Sequence, residues 1–126
     1  MRSDCCSFLM LVLLMFSGAA SAHSCVLPLP DGGEDHPSPP SLKGKILSAS
    51  PKQVVIQTTD DRVPRPVNIA LDTELYTVYG GGFEPEALRA GQHAIIWFRG
   101  CTKPKEGTPV AAVLQLCSLA AEPCSS

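Results

Sequence analysis

Three histidines carry the sharpest chemical possibility in this chain, which is a copper site. Cleavage after Ala20–Ala22, an A-x-A motif, would make His23 the first residue of the mature chain. Its free α-amine and its imidazole could then chelate one metal ion together, as in copper proteins with an N-terminal histidine. His36 or His93 would supply the second imidazole, a ligand that suits copper. The alternative hypothesis for this chain is therefore a periplasmic copper-binding protein.

Other features favour a protein with no cofactor. The arm that carries His23 is rich in proline and glycine, so it would hold a set of metal ligands loosely. Cys25 is expected to be oxidised, and all three methionines lie within the first 22 residues, which leave with the cleaved segment. We therefore predict that His23 is simply the residue that cleavage leaves first, and that His93 is a hydrogen-bonded residue at the start of a strand.

A second group of residues could bind a sugar, a peptide or another planar group. Side chains alternate between the two faces of a strand, so Trp97 and Arg99 should share one face while Ile96 and Phe98 share the other. Aromatic rings and nearby cations recognise such ligands. The competing interpretation is that the rings close the barrel and cover its ends. The predicted ligand-binding residues are Tyr76, Tyr79, Trp97, Arg99, Lys103 and Lys105.

The sequence offers little for catalysis. It contains neither a G-x-S-x-G nor an H-E-x-x-H motif, and its Gly80–Gly82 run lacks the frame of a nucleotide-binding loop. The adjacent acids Asp60 and Asp61 follow a predicted strand, where carboxylates commonly serve turns. We predict that the protein is not an enzyme.

The first 22 residues predict export. Arg2 precedes an apolar run from Phe8 to Phe16 and then the A-x-A motif, an order typical of a secretory signal peptide. That run is shorter than the about 20 residues that span a bilayer, so the mature chain should have no transmembrane segment. We expect a periplasmic or secreted protein with a signal peptide at 1–22, a proline-rich flexible arm at 23–41 and one domain at 42–126.

The charge of the chain bears on its partners. The formal net charge is −2, with 10 basic and 12 acidic residues, whereas a nucleic-acid-binding surface normally carries a strong basic excess. We therefore expect the partner to be an envelope protein, a peptide or a saccharide, and not a nucleic acid.

Four cysteines remain after cleavage, and an even number in a short exported chain favours two disulfides. Cys101 and Cys117 should lie at opposite ends of the last predicted hairpin, ~26 Å apart over about eight residues. A disulfide needs Cα atoms within about 7 Å, so this pair is excluded. We favour Cys25–Cys101 with Cys117–Cys124, and the scheme Cys25–Cys117 with Cys101–Cys124 stays open.

Short apolar stretches separated by turn residues predict five strands. Pro64 and Pro66 cannot donate to a ladder, so the first half of the third strand should be an edge or a bulge. A proline early and Gly91 late predict a helix of one or two turns at 84–91. The predicted strands span 43–49, 53–58, 63–71 (extended at 75–79), 93–99 and 109–117. Alternation predicts inward side chains at Val54, Ile56, Val67, Ile69, Leu71, Val110, Ala112, Leu114 and Leu116.

Three strands, a short helix and two more strands follow the order of an OB-type barrel. The stretches Gly44–Ile46, Pro85–Gln92 and Ala111–Val113 resemble small exported bacterial OB-like domains of unknown function. The resemblance covers about residues 43–116 and implies a β-barrel outside the cytoplasm, with no catalytic residues to carry over. The predicted fold is mainly β: a five-stranded OB-like β-barrel with one short helix between strands 3 and 4 and a disordered, proline-rich N-terminal arm. The predicted function is a non-catalytic binding or interaction module of the bacterial cell envelope.

Overall fold

The computed structural model describes residues 24–33 and 36–124, and the predicted signal peptide at 1–22 and His23 lie outside them. Over the described residues the regular elements are five strands and two short 3₁₀ turns. No helical segment in these ranges is long and apolar enough to cross a membrane. The strands are β1 (Leu42–Ser50), β2 (Gln53–Thr58), β3 (Pro64–Thr77), β4 (His93–Phe98) and β5 (Val110–Leu116), and the 3₁₀ turns span Pro85–Ala87 and Arg99–Cys101.

The five strands form one closed barrel in the order β1-β2-β3-β5-β4, with β4 returning to pair with β1. Neighbouring strands are antiparallel except β3 and β5, which run parallel. Closure gives each strand two neighbours, so most of the sheet's backbone donors and acceptors are satisfied within the barrel. The prediction of a mainly β, five-stranded barrel is confirmed, and the strand order is consistent with an OB-like barrel.

The interior of the barrel is filled by aliphatic side chains that alternate along the strands. On β2 and β3 the inward positions are Val54, Ile56, Val67 and Ile69, as predicted. Each of these four is almost fully buried, so the register of the β2–β3 hairpin follows its hydrophobic pattern. The core comprises Ile46, Val54, Ile56, Val67, Ile69, Leu88, Ala94, Ile96, Phe98, Ala111, Leu114 and Leu116.

The third strand departs from the predicted alternation at Leu71, whose side chain is fully exposed. The pairing of β3 with β5 is interrupted after Ile69, and the residues that follow bulge away from the barrel. Thr73 fills the gap, because its hydroxyl accepts a hydrogen bond from the Ala70 N–H at 2.9 Å and donates one to the Ala111 carbonyl at 2.6 Å. The inward assignment of Leu71 was therefore wrong, since a bulge shifts the alternation.

A second bulge changes the inward face of β5. The register of β4 against β5 shifts between Trp97 and Phe98, which leaves Ala112 out of the pairing. Ala111 consequently enters the core, while Val110 and Ala112 are only half-buried. The inward assignment of Val110 and Ala112 was wrong for this reason, whereas the two leucines of the strand are buried as predicted.

The helix predicted at 84–91 is reduced to one 3₁₀ turn at Pro85–Ala87. Proline does stand at the start of this turn, as the pattern indicated. Leu88 then returns to extended backbone (φ −67°, ψ 130°) and buries its side chain in the core, which ends the winding. The prediction of a short helix was wrong because burial of Leu88 decides the path of the chain here.

Gln92 fixes the segment that follows this turn. Its side chain is buried, and it accepts a hydrogen bond from the Arg89 N–H at 2.8 Å. Its amide nitrogen donates to the carbonyls of Ala87 and Leu119, each at 3.0 Å. One buried amide therefore joins the β3–β4 connection to the C-terminal tail.

Two disulfides join distant parts of the chain. Cys25 pairs with Cys101 at a Cα–Cα distance of 5.4 Å, and Cys117 pairs with Cys124 at 4.7 Å. This is the scheme favoured from the sequence. The first bond closes a span of 76 residues and ties the arm to the barrel, which is where a cross-link restricts the unfolded chain most.

The described part of the arm, residues 24–33 and 36–41, has no regular secondary structure before β1, but it packs on the barrel. It folds back on itself, because the Ser38 N–H donates to the Val26 carbonyl at 2.7 Å and the Val26 N–H donates to Ser38 Oγ at 2.9 Å. Leu27 packs against side chains on the outside of the barrel. The described residues of the arm thus contact the barrel through hydrogen bonds and apolar packing.

Candidate functional site

Two of the predicted ligand-binding residues, Tyr76 and Trp97, lie together on the outside of the barrel. They form a cluster with Val113 that is separate from the barrel core, and Leu27 and Ile95 pack against it. Tyr76 is 3% exposed and Trp97 is 5% exposed, because the arm lies over both rings. The structure thus brings the two rings together but does not leave them as an open platform.

Tyr79 and Arg99 do not join this buried cluster. Tyr79 follows the end of β3 and is 81% exposed. Arg99 forms an ion pair with Asp72, and both side chains are more than half exposed. An exposed pair of this kind contributes only about 0–1 kcal/mol. The alternation that predicted Arg99 beside Trp97 ends at the last residue of β4, where the 3₁₀ turn begins.

A groove of ≈ 560 Å³ lies at one end of the barrel, between the β2–β3 loop and the β4–β5 loop. Its lining combines apolar side chains, among them Leu42, Val67 and Phe98, with the cations Arg65 and Lys103. An apolar surface with a few polar groups at its rim is the usual make-up of a ligand site. Lys103 is the only one of the six predicted ligand-binding residues that lines it.

The β2–β3 loop that forms one wall of this groove is held by a network around Asp61. Its N–H donates to Thr58 Oγ1 at 3.2 Å, and its Oδ1 accepts from the Val63 N–H at 3.1 Å. Arg65 Nη2 lies 2.5 Å from its Oδ2. The hydrogen bond from Arg65, followed by that from Val63, lowers the pKa of Asp61 below its ordinary value of 3.8. Asp61 therefore serves the turn, as predicted, and orients Arg65.

The first residues of β3 give the groove an edge with few donors. Over residues 64–67 the described chain pairs β3 with β2 alone, since its pairing with β5 starts at Asn68. The Asn68 N–H donates to the Pro109 carbonyl on the β5 side, and alternation places Pro64 and Pro66 towards that same side. Proline has no N–H, so this edge resists the addition of another strand. The predicted edge is confirmed.

The β4–β5 loop forms the opposite wall. Gly100 (φ 67°) and Cys101 (φ 59°) both adopt left-handed backbone, a conformation that costs glycine little and cysteine more. The disulfide to Cys25 holds this turn in place. Lys103 projects along the groove, and Lys105 is exposed further along the same loop.

A second cavity of ≈ 740 Å³ lies at the other end of the barrel, beside the β1–β2 turn. Its lining includes the exposed Leu71 of the β3 bulge, Phe83, Glu84 and Glu86. None of the predicted ligand-binding residues lines it. It is formed by the same bulge that breaks the alternation of β3, which the sequence pattern did not indicate.

The histidines are not gathered at one place in the described part of the chain. His36 is exposed on the arm, and the half-buried His93 opens β4, where its carbonyl accepts from the Cys117 N–H at 3.0 Å. Cys25 is bonded to Cys101 and has no thiolate to offer a metal. Among residues 24–33 and 36–124 no group of three metal-binding side chains is placed to hold an ion. The copper hypothesis depends on His23, outside the described residues.

Arg65 and Phe98 are the groove residues that the sequence reasoning did not select. Phe98 was placed on the face of β4 opposite Trp97, and the structure finds it in the barrel core, where it also lines the groove. The sequence did contain a signal for Arg65, because it lies between Pro64 and Pro66 in a predicted edge strand. Its cation is therefore expected beside backbone that pairs with no further strand. Comparison with known proteins adds no relative, because no family model, curated protein or solved structure matches this chain.

Proposed function

We propose that this protein is a non-catalytic binding module that works outside the cytoplasm, in the cell envelope, and that its ligand lies in the groove between the β2–β3 and β4–β5 loops. The observation that carries the proposal is a groove lined by apolar side chains and by Lys103, Asp60 and the paired Arg65 and Asp61, between walls that a hydrogen-bond network and a disulfide hold in place. Rigid walls favour binding, because little ordering free energy is lost when the ligand arrives.

The lining favours a peptide segment over a saccharide. Sugars commonly bind against exposed aromatic rings. The two rings best suited to that role, Tyr76 and Trp97, are covered by the arm. The groove is lined instead by aliphatic side chains and Phe98, together with Lys103. A peptide with an apolar side chain next to a carboxylate fits this combination.

Such a peptide would bind through its side chains and not as an added strand. Strand addition needs alternating donors and acceptors on the receiving edge. Pro64 and Pro66 provide acceptors only, so a bound peptide would gain little main-chain hydrogen bonding there. Selectivity would therefore rest on the apolar pocket and on Lys103.

The proposed location outside the cytoplasm is supported by the two disulfides, which persist in oxidising compartments. The N-terminal segment with the features of a signal peptide points the same way. A non-catalytic role is supported by Asp61, whose carboxylate is occupied by the turn and by Arg65.

The test is a peptide library selected against the oxidised mature chain, followed by calorimetric titration of the selected peptides. We expect the selected sequences to share an apolar residue next to Asp or Glu. Lys103→Glu should weaken their binding by about tenfold or more, the equivalent of one lost charge-assisted hydrogen bond. Lys105→Glu is the matched control, with the same charge change in the same loop but outside the groove. Equal losses for both variants would contradict a site in the groove.

A further inference from the structure

The contact between the arm and the Tyr76–Trp97 cluster has a specific chemistry. The Tyr76 hydroxyl donates a hydrogen bond to the Pro28 carbonyl at 2.9 Å, and Trp97 Nε1 donates to the Ser38 carbonyl at 2.7 Å. Both acceptors are main-chain carbonyls, and both donors are aromatic side chains. The two aromatic side chains of the barrel thus bind main-chain carbonyls of the arm.

Proline explains why the recognition takes this form. The arm carries Pro28, Pro30, Pro37, Pro39 and Pro40, each of which lacks a backbone N–H. Such a segment still has its carbonyls, so a surface that binds it must bring donors. Tyrosine and tryptophan bring a donor and an apolar ring together, and proline-rich segments dock on aromatic surfaces in this way.

The fit extends beyond the two hydrogen bonds. Leu27 packs against the cluster, and Ser38 stands directly before Pro39, which favours an extended backbone at that position. Gly80 permits the close approach of the chain, because a Cβ there would lie only 2.6 Å from the Pro30 carbonyl oxygen. The surface therefore fits a proline-rich loop, whose two limbs present the Pro28 and Ser38 carbonyls.

One covalent bond holds the arm where it lies. Cys25, three residues before Pro28, is joined to Cys101. A dithiol reductant would open this bond by exchange: the two thiols of the reductant become a disulfide, and Cys25 and Cys101 each become a thiol. The arm would then be held only by its non-covalent contacts, and a competing segment of the same chemistry could replace it.

We infer that the Tyr76–Trp97 surface is a docking site for a proline-rich loop of a partner protein, and that the arm occupies it until the Cys25–Cys101 disulfide opens. The inference concerns a surface other than the proposed groove. The arm shows what the surface accepts, since it is an occupant already in place. The Cys25–Cys101 disulfide raises the local concentration of the arm at this surface. A partner segment can therefore compete only after that disulfide has opened.

The test uses the full mature chain in three forms: oxidised wild type, Cys25→Ser with Cys101→Ser, and Cys25→Ser with Leu27→Asn, which weakens the hold of the arm. The probe is a labelled peptide with the sequence of residues 24–40 and serine at position 25, followed by fluorescence anisotropy. We expect no binding to the oxidised chain and binding to the other two forms. The arm-weakened form should bind about tenfold more tightly than the double serine variant, because more of its molecules have an empty surface.

Two controls separate recognition from a merely sticky surface. Trp97→Phe in the arm-weakened form keeps a ring but removes the Nε1 donor, and it should weaken peptide binding by about tenfold. A peptide with alanine at every proline should lose binding to a similar degree, whereas Lys103→Glu in the groove should leave it unchanged. Because Trp97 is the only tryptophan, its emission should also lie further to the red in the arm-weakened form than in the oxidised wild type.

The proposal is overturned if the arm-weakened form keeps native circular dichroism and cooperative melting but does not bind the peptide at about 1 mM, a concentration comparable to that of a short tethered segment. Trp97 emission in the arm-weakened form equal to that of the oxidised wild type would also overturn it. Dimerisation of the reduced chain in place of peptide binding would assign the surface to the arm of a second copy and so refute a separate partner.

Discussion

Replacement of Gln92 by leucine should destabilise the barrel although no core hydrophobic residue is lost. The side chain is 1% exposed and makes three hydrogen bonds, to Arg89, Ala87 and Leu119. A leucine of similar size would remove all three and leave their backbone partners unpaired. At about 1 kcal/mol for each bond, the free energy of unfolding should fall by about 3 kcal/mol.

Urea denaturation of the oxidised chain measures this change, and Gln53→Leu is the matched control. Gln53 makes one exposed hydrogen bond, to Asn68 Oδ1 at 2.9 Å, so the same substitution there should change stability by no more than about 0.5 kcal/mol. For a domain of this size the loss at Gln92 corresponds to a fall in Tm of about 15 °C. An unchanged slope with urea concentration would show that only stability, and not the extent of unfolding, had changed.

The reasoning is refuted if Gln92→Leu and Gln53→Leu give equal losses. Water would then be satisfying the three backbone partners once the amide is gone. A further variant, Gln92→Glu, keeps the acceptor for Arg89 but removes both donors and buries a carboxylate. It should be at least as destabilising as leucine at neutral pH and should recover in part when acid protonates the new side chain.

Three other perturbations follow from the structure. Gly44→Ala should lower stability by about 1–3 kcal/mol in urea, because a Cβ would clash with the Gln57 carbonyl across the β1–β2 pair. Folding lowers the pKa of Asp61, so its contribution to the free energy of unfolding is present above pH 3.8 and is lost as pH falls through the folded value. Asp61→Asn should therefore make the free energy of unfolding depend less on pH in the acid range. Burial raises the pKa of Tyr76 above 10.0, so its contribution is complete below 10.0 and lost as pH rises through the folded value. Its ionised oxygen could no longer donate to Pro28, so a red shift of Trp97 emission should accompany Tyr76 ionisation in base, and Tyr76→Phe should abolish that pH-dependent step.

Much of the barrel could be predicted because its strands carry local signals. Val54 and Ile56 lie on one face of a β-branched run between Gln53 and Gln57, and the strand predicted at 53–58 has the bounds observed. The position of Pro64 and Pro66 predicted the free edge of β3 from a single fact, the missing N–H. Strand length excluded the Cys101–Cys117 pair, and the observed scheme is the favoured one of the two that this exclusion left open. Each of these inferences depends on geometry that short stretches of chain already fix.

The failures share a different cause. Leu71, Val110 and Ala112 were assigned by strict alternation, and bulges in the β3–β5 and β4–β5 pairs shifted it. A bulge is set by how β3, β4 and β5 meet in the closed barrel, so no window of sequence contains the information. The prediction of a helix at 84–91 was wrong for a similar reason. Leu88 packs in the barrel interior, which forms only when the strands close.

The arm is the most instructive difference between composition and structure. Its prolines and acids predicted a disordered segment, and in isolation they would leave it with no reason to fold. Trp97 and Tyr76 were predicted on other grounds, as an open platform for a ligand. The structure connects these two predictions. The arm has few N–H groups because of its prolines, and the two aromatic donors of the barrel bind the main-chain carbonyls of Pro28 and Ser38. Hydrogen bonding and apolar packing stabilise a bound ligand and a folded chain in the same way. In the contact between the arm and the Tyr76–Trp97 cluster, one chain supplies both partners.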